Sequence, residues 1–264
     1  MTESVGFLPG GRTAGAFRRG DVVIRAGGPW TPAVHAVLRH LERVGFAGAP
    51  RVVGMDGQGR EMVTYLSGRT VGVELPWPGW VHSDAALDQV GAWLRRLHDA
   101  TASFVPPEGS SWFAGQRWQP GLIIGHHDVA PYNAVWTDTG GPEQLVGFVD
   151  WDTAGPSSRE LDLAFAALSW VPLQPRQVVE PQGFTAWDDR RRRVHRLLDA
   201  YGYTGDRTTF GTAVAGRARV NAAAIHRLAA TGHPIYRAVL PAADELERAA
   251  RDTESLPASV WQHP

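Results

Sequence analysis

The segment GLIIGHHDVAPYNAVW, residues 121–136, limits the possible folds of this chain more than any other. A short apolar run leads into the triplet HHD, a loop with a proline follows, and a second apolar run begins after Asn133. Short apolar runs bounded by turn residues are typical of buried strands. The next segments, TDTGGPEQ and LVGFVD, predict a tight turn and a third strand that ends at Asp150. The sequence therefore predicts three short strands, with a polar loop between the first two.

Three oxygen-bearing side chains follow this framework in the order Asp128, Asn133 and Asp150. A strand, a loop, a strand, a tight turn and a strand in succession can direct all three into one cleft. Carboxylate and amide oxygens suit Mg²⁺, and a second carboxylate near an acceptor hydroxyl can orient it and take its proton. The pattern therefore favours phosphoryl transfer from a nucleotide.

Two other interpretations of the same residues stay open. Aspartate and asparagine are common in turns, so Asp128, Asn133 and Asp150 could serve only to form loops. The HHD triplet could belong to a metal hydrolase, which would need further histidine or carboxylate ligands at suitable geometry, usually from helices. The flanking segments read as strands, however, and the remaining histidines are scattered along the chain.

The first 68 residues predict a small, mostly β unit with one helix. A glycine-rich turn and the strand-like segment DVVIRA lie within residues 6–26. The segment TPAVHAVLRHLERVG predicts a helix, because its apolar residues recur at helical spacing and Thr31 can cap it. The segment PRVVGMDGQGREMVTYL predicts two strands around the turn Asp56-Gly57.

A connector rich in glycine, proline and tryptophan, SGRTVGVELPWPGWVHS, follows this unit. Beyond it, the segments DAALDQVGAWLRRLHDAT and SSRELDLAFAALSW and most of the chain after residue 187 predict helices. We therefore expect an α+β fold with two lobes. The small β-rich lobe would span residues 1–68, and the larger, mostly helical lobe would span residues 69–264.

Composition narrows the classes of function. The formal net charge of −1 gives no strong field for nucleic acid or an anionic membrane. The absence of cysteine excludes disulfides, cysteine–zinc sites and thiol catalysis, and the absence of lysine excludes chemistry that requires an ammonium side chain. No apolar run of about 18 residues predicts a membrane span, and the first residues lack a secretory pattern. We expect a cytoplasmic protein without a nucleic acid or membrane partner, of unspecified oligomeric state.

The two polar motifs also resemble those of a known family. HHDVAPYN resembles the H-x-D-x-x-x-x-N catalytic loop of the aminoglycoside phosphotransferase family, small-molecule kinases with the protein-kinase fold. VDWDTAG resembles the metal-binding segment of that family, and RRLHDAT and ELDLAFAAL look like its flanking segments. The resemblance runs from about residue 8 to 200 and is strongest at 121–166. It implies a two-lobe protein-kinase-like fold, ATP and Mg²⁺ as cofactors, and a small-molecule hydroxyl group as acceptor.

The resemblance implies a role for each residue of the catalytic segment. Asp128 corresponds to the catalytic carboxylate, and Asn133 and Asp150 correspond to the Mg²⁺ ligands. His126 corresponds to a histidine that braces the loop by binding main-chain atoms. Asp162 corresponds to a structural hydrogen-bond acceptor beneath the loop.

The resemblance also implies a nucleotide site in the small lobe. Gly10, Gly11 and Gly15 correspond to the loop that covers the nucleotide. The main chain around Tyr65 and Leu66 corresponds to the hinge segment that binds adenine.

The cation of this nucleotide site departs from the family pattern. The family usually has lysine where the segment VVIRA places Arg25, and arginine can grip phosphate with two N–H groups. That lysine normally pairs with a glutamate early in the next helix, where this chain has Val34 and His35. His35 could hydrogen-bond a phosphate or a neighbour of Arg25. The departure leaves open an alternative, a nucleotide-binding or inactive pseudokinase that acts through a partner.

The sequence leaves the acceptor molecule open. Aminoglycosides are polycations and favour an acidic pocket, whereas residues 150–264 contain 14 acidic residues and 14 arginines. An aminoglycoside-like antibiotic and another hydroxylated metabolite are therefore both compatible with the chain.

Overall fold

The computed structural model describes residues 5–7, 15–72, 74–137, 142–232 and 234–263. The chain divides into two compact units whose segments alternate along the sequence. The first consists of Met1–Val73, Arg96–Asp128 and Tyr132–Ser157. The second consists of Glu74–Arg95, Val129–Pro131 and Ser158–Pro264. The lobe boundary near residue 68 stays a prediction.

The first unit contains a five-stranded sheet with the strand order β1-β2-β3-β5-β4. Its strands are β1 (Val5–Phe7), β2 (Phe17–Arg19), β3 (Val22–Ala26), β4 (Val52–Met55) and β5 (Arg60–Thr64). All neighbouring strands are antiparallel. The predicted strand at DVVIRA and the two strands around Asp56-Gly57 are confirmed. The register of β3 and β5 places Arg25 directly opposite Glu61.

Helix α1 (Thr31–Arg43) buries one apolar face within this unit. Val34, Val37, Leu38 and Leu41 of its helical stripe are almost completely buried, as the spacing predicts, whereas Val44, the last apolar residue at that spacing, follows the helix end and is 49% exposed. The predicted capping role of Thr31 is wrong, because the helix begins at Thr31 itself. Thr31 Oγ1 instead accepts a hydrogen bond from Gly28 N–H at 2.8 Å, which stabilises the turn before the helix.

Four more short strands lie in the described part of the first unit. They are β6 (Ile123–Gly125), β7 (Ala134–Trp136), β8 (Leu145–Phe148) and β9 (Gly155–Ser157). β6 pairs with β9, and β7 pairs with β8, both antiparallel. The three strands predicted from residues 121–150 are confirmed. β9 was not expected, because its sequence is Gly-Pro-Ser and proline is tolerated only at sheet edges, which a two-stranded sheet provides.

The second unit is helical. α2 (Asp84–Thr101) begins in it, and its other helices are α3 (Arg159–Trp170), α4 (Arg176–Val179), α5 (Arg190–Tyr201), α6 (Phe210–Ala230), α7 (Pro234–Ala238) and α8 (Leu240–Ser255). α6 packs against α3 and α8. The helices predicted at 84–101, before Trp170 and beyond residue 187 are confirmed, and so is the α+β class. Within the described part of the chain, no helix has both the length and the hydropathy of a membrane span.

Candidate active site

The loop after β6 carries the HHD triplet, and both histidine rings bind main-chain carbonyls. His126 Nε2 lies 3.1 Å from Val149 O, and His126 Nδ1 accepts a hydrogen bond from Asp128 N–H at 3.3 Å. Because Nδ1 is an acceptor, Nε2 carries the hydrogen and donates it. His127 has a positive φ of 67° and directs its Nε2 to Gly155 O at 3.1 Å. The rings therefore brace the loop, a use that speaks against the metal-hydrolase interpretation.

The carboxylate of Asp128 is held by two neighbours on the same loop. Tyr132 donates its hydroxyl hydrogen to Oδ1 at 2.9 Å, and Asn133 Nδ2 donates to Oδ2 at 2.8 Å. The same nitrogen also donates to the main-chain oxygen of Asp128 at 3.0 Å. Since these bonds use the nitrogen of the Asn133 amide, its oxygen is the atom that can act as a ligand.

Asp150 follows the end of β8, beside the start of β7. Val149 N–H donates to Asn133 O at 3.0 Å, which joins the residue before Asp150 to the residue before β7. Asp150 has a φ of 63°, a left-handed conformation that is uncommon outside glycine and that clusters at functional sites. The structure therefore gathers Asp128, Asn133 and Asp150 at one loop and one pair of strand ends.

Arg25 of β3 joins this group through ion pairs. Its Nε donates to Glu61 Oε2 at 2.6 Å, its Nη1 to Asp150 Oδ1 at 2.9 Å, and its Nη2 to Asp152 Oδ1 at 2.9 Å. Burial alone would lower the pKa of Arg25, but Asp152, Asp150 and Glu61 together hold that pKa above its ordinary value. The guanidinium is therefore charged and engaged on three sides.

Glu61 of β5 is the most deeply buried member of this cluster, with 1% of its surface exposed. Its Oε2 accepts from Arg25, and its Oε1 lies 3.0 Å from His35 Nε2 on α1. Burial tends to raise the pKa of Glu61, but the hydrogen bond from His35 and the charge of Arg25 lower it below its ordinary value. The early part of α1 offers Arg25 no carboxylate, and Glu61 of β5 takes that place.

Asp152 behaves differently from Glu61. Burial raises the pKa of Asp152 to about 6, with Arg25 opposing the rise and the negative charge of Asp150 adding to it. Three carboxylates and one guanidinium leave this cluster with an excess of negative charge. Such an excess favours the arrival of a cation.

Mg²⁺ is usually held by one or two carboxylates together with phosphate oxygens and water. The carboxylates of Asp150 and Asp152 and the amide oxygen of Asn133 match this donor set. Among the residues that the structure describes, no three or more histidine, aspartate or glutamate side chains are grouped to hold a metal by themselves. The residues present therefore fit a Mg²⁺ ion that arrives with phosphate oxygens.

The predicted nucleotide segments are only partly described. Gly10 and Gly11 lie outside the described residues, and Gly15 is exposed just before β2. Tyr65 N–H donates to Asp21 O at 2.8 Å, so this amide is already used within the unit. Leu66 follows it, half-buried. Their roles in covering the nucleotide and binding adenine stay predictions.

Asp162 belongs to the second unit, where it is completely buried in the first turn of α3. Ser158 caps that helix by accepting a hydrogen bond from Leu161 N–H at 3.1 Å. The proposed support of the catalytic loop by Asp162 stays a prediction.

Sequence reasoning missed Glu61 and Tyr132. The signal for Glu61 is the alternation in β5, where Glu61 and Val63 are the buried residues of REMVT. A charged residue at a buried position opposite Arg25 of the neighbouring strand indicates a pair across the sheet. Tyr132 has no comparable signal in the sequence.

A model of the phosphotransferase enzyme family matches residues 114–198. The chain is 42% identical to the trifolitoxin immunity protein of Rhizobium leguminosarum bv. trifolii over 207 residues, which cover 76% of this chain and 75% of that protein.

Solved structures of kinases share the fold. One is a choline/ethanolamine kinase family protein from Mesorhizobium loti, with a TM-score of 0.60, 20% identity, and coverage of 98% of this chain and 92% of that one. Another is an amicoumacin kinase in complex with AMP-PNP and Ca²⁺, with a TM-score of 0.62, 14% identity, and coverage of 92% and 87%. These likenesses confirm the predicted protein-kinase-like fold, with a smaller strand-rich part and a larger helical part.

Proposed function

We propose that this chain, which belongs to the phosphotransferase enzyme family and is a small-molecule kinase, transfers the γ-phosphate of ATP to a hydroxyl group of a small molecule in a Mg²⁺-dependent reaction. The observation that carries the proposal is the setting of Asp128. Its carboxylate is held by Tyr132 and Asn133 in a loop that His126 braces. Phosphoryl transfer depends mainly on such positioning and on charge stabilisation.

Asp128 acts on the acceptor in this proposal. Its carboxylate orients the acceptor hydroxyl and takes the proton as the new O–P bond forms and the bond between the γ-phosphorus and ADP breaks. Tyr132 and Asn133 each occupy one lone-pair direction of the carboxylate. A carboxylate has about four such directions, so Asp128 keeps the capacity to bind the acceptor.

Asn133 and Asp150 hold the metal in this proposal, with Asp152 beside them. These residues would hold a Mg²⁺ ion, which would supply positive charge against the negative charge that develops during transfer. Support comes from the hard oxygen donors at these positions and from the excess of negative charge around Arg25.

The small lobe, residues 1–68, covers the nucleotide in this proposal. Arg25 binds the phosphates, and the glycine-rich turn with Gly10, Gly11 and Gly15 closes over them. The main chain at Tyr65 and Leu66 binds adenine. Residues 69–264 carry the catalytic loop, the metal ligands and the helices that bind the acceptor.

The acceptor in this proposal is an antibiotic-like compound or another hydroxylated metabolite. Support comes from the relative named for immunity to trifolitoxin and from kinases of the same fold whose names specify amicoumacin and aminoglycosides. The equal numbers of acidic residues and arginines in residues 150–264 do not single out a polycation.

The first experiment is calorimetric titration of the purified protein with ATP, with and without Mg²⁺. We expect binding in the micromolar range that requires Mg²⁺ and is lost in Asp150→Ala. Equal binding with and without Mg²⁺ would remove the metal from the proposal.

The second experiment measures ADP release over a panel of hydroxylated antibiotics and metabolites, in the wild type and in Asp128→Asn. The kinase proposal requires an acceptor that stimulates turnover in the wild type and not in the variant. ATP binding without phosphate transfer to any acceptor would favour the pseudokinase alternative, which the missing lysine and the missing glutamate of α1 had suggested.

A further inference from the structure

We propose that Glu61 is the positioning carboxylate of the phosphate-binding arginine, and that His35 orients Glu61 in turn. The inference rests on the proposed function, because it assigns to Arg25 the binding of nucleotide phosphates. It places the partner of this cation on strand β5 rather than on helix α1.

The register of the sheet places Glu61 beside Arg25. The two residues are direct partners in the antiparallel pair β3–β5, so their side chains leave the sheet on the same face at short distance. The contact between Arg25 Nε and Glu61 Oε2 is 2.6 Å. This hydrogen bond between two charged groups is of the strong kind.

The guanidinium divides its hydrogen bonds in a way that suits a phosphate site. Glu61 takes Nε, at the base of the guanidinium, while Nη1 and Nη2 face Asp150 and Asp152. Nη1 and Nη2 form the outer end of the planar group, where bidentate contacts with phosphate oxygens are made. Glu61 therefore sets the orientation of Arg25 from the base of the guanidinium, whereas the outer end, which Asp150 and Asp152 contact here, is the part that phosphates would bind.

His35 completes the arrangement from α1. The ring is buried, and its Nε2 lies 3.0 Å from Glu61 Oε1. Because a carboxylate can only accept hydrogen bonds, His35 Nε2–H is the donor. Both oxygens of Glu61 are thus engaged, and the helix is joined to Arg25 through Glu61.

Glu61 could instead have a purely structural role. Removal of one partner of a buried ion pair lowers stability wherever in a protein the pair lies. The two roles differ in what they do to ligands. A positioning role affects ligands that carry phosphates, whereas a structural role weakens the binding of adenosine and ATP alike.

The test compares Glu61→Gln with Asp56→Asn by calorimetry with Mg²⁺·ATP and with adenosine. Asp56 pairs with Arg60 in the same hairpin, at 2.7 Å, and makes the matched control. We expect Glu61→Gln to raise the Kd of Mg²⁺·ATP and the KM of ATP about tenfold or more, with the Kd of adenosine and the KM of the acceptor unchanged. Asp56→Asn should change none of these constants.

His35→Leu provides the second variant, in case Glu61→Gln does not fold. It removes the donor to Oε1 and retains Glu61, so we expect a smaller rise in the Kd of Mg²⁺·ATP, about threefold to tenfold, again without an effect on adenosine.

Two results would overturn the inference. In the first, the wild-type enzyme transfers phosphate, and both variants bind ATP with an affinity within twofold of that of the wild type. The proposed function would then stand without the inference. The second is an equal loss of adenosine and ATP binding, which assigns Glu61 a structural role. A wild-type protein that neither binds ATP nor transfers phosphate would instead refute the proposed function and the inference together.

Discussion

The hydroxyl of Tyr132 lies 2.9 Å from Oδ1 of Asp128 and donates a hydrogen bond to it from the same loop. Asn133 holds the other carboxylate oxygen at 2.8 Å. The orientation of the proposed catalytic carboxylate therefore comes from residues four and five positions later in the chain. It depends on the conformation of one short loop.

Tyr132→Phe tests the first of these contacts. We expect kcat to fall about threefold to tenfold, because a hydrogen bond to a charged group at a partly exposed site is lost. Thermal stability should change little, since Tyr132 is 44% exposed. Steady-state kinetics and thermal denaturation measure the two effects.

Tyr203→Phe is the matched control, because Tyr203 donates its hydroxyl hydrogen to the carboxylate of Glu160 in the second unit. It should lower stability and leave kcat unchanged. An equal fall of kcat in both variants would mean that Tyr132 has no particular role in the site.

Asp128→Asn removes the proposed proton acceptor and keeps its shape. We expect kcat to fall about a thousandfold, within the range typical of general-base catalysis. The Kd of Mg²⁺·ATP should stay within about threefold, because Asp128 acts on the acceptor. Single-turnover phosphate transfer and calorimetry check both expectations, and turnover at the wild-type rate would exclude the assignment.

Stability should fall as the pH drops below about 6.5, in part because of His82. Burial lowers the pKa of His82, with a smaller contribution from the charge of Arg193, while its hydrogen bond to Gln182 O acts in the opposite direction. The unfolded chain therefore binds a proton at this residue at a higher pH than the folded protein does. Linkage then requires stability to be lost as the pH falls from the unfolded pKa towards the folded one.

His82→Gln should remove this part of the pH dependence, because glutamine can still donate to the carbonyl of Gln182 and does not titrate. Thermal denaturation at pH 7.5 and 5.5 measures the effect as a smaller drop of Tm in the variant. An identical drop in both proteins would contradict the lowered pKa of His82.

Two glycines should respond in opposite directions to alanine. A Cβ at Gly147 of β8 would lie 2.2 Å from the main-chain oxygen of Gly48, which cannot move away cheaply. Gly147→Ala should therefore destabilise by about 2–4 kcal/mol. Gly216 lies inside α6, where an added methyl group would have nothing within 4 Å of it, so Gly216→Ala should stabilise by about 0.5–1 kcal/mol. Urea denaturation measures both.

The helices and most strands were predictable because their cause is local. The apolar stripe of α1 marks one buried face, and the turn at Asp56-Gly57 fixes a hairpin. The capping role predicted for Thr31 was wrong by one position, because its hydroxyl accepts a hydrogen bond in the turn before the helix. β9 escaped prediction because Pro156 lies in a strand that exists only through its pairing with β6.

Part of the candidate active site could also be predicted from the sequence, and part could not. The order of Asp128, Asn133 and Asp150 along the chain was sufficient to expect them together. Glu61 was not found, because its meaning depends on the register of β3 against β5, which sequence spacing does not supply. His35 was expected to bind either a phosphate or a neighbour of Arg25, and the structure selects the neighbour.

The ion pairs around Arg25 have a practical consequence for chemical probes of the site. The chain contains no lysine, and the cation that Glu61, Asp150 and Asp152 surround is a guanidinium that keeps its proton at every pH the protein tolerates. Acylating nucleotide analogues that trap an active-site amine would therefore find no side-chain amine to modify. Reagents that condense with guanidinium groups are the appropriate labels, and protection of Arg25 by ATP would be their signature.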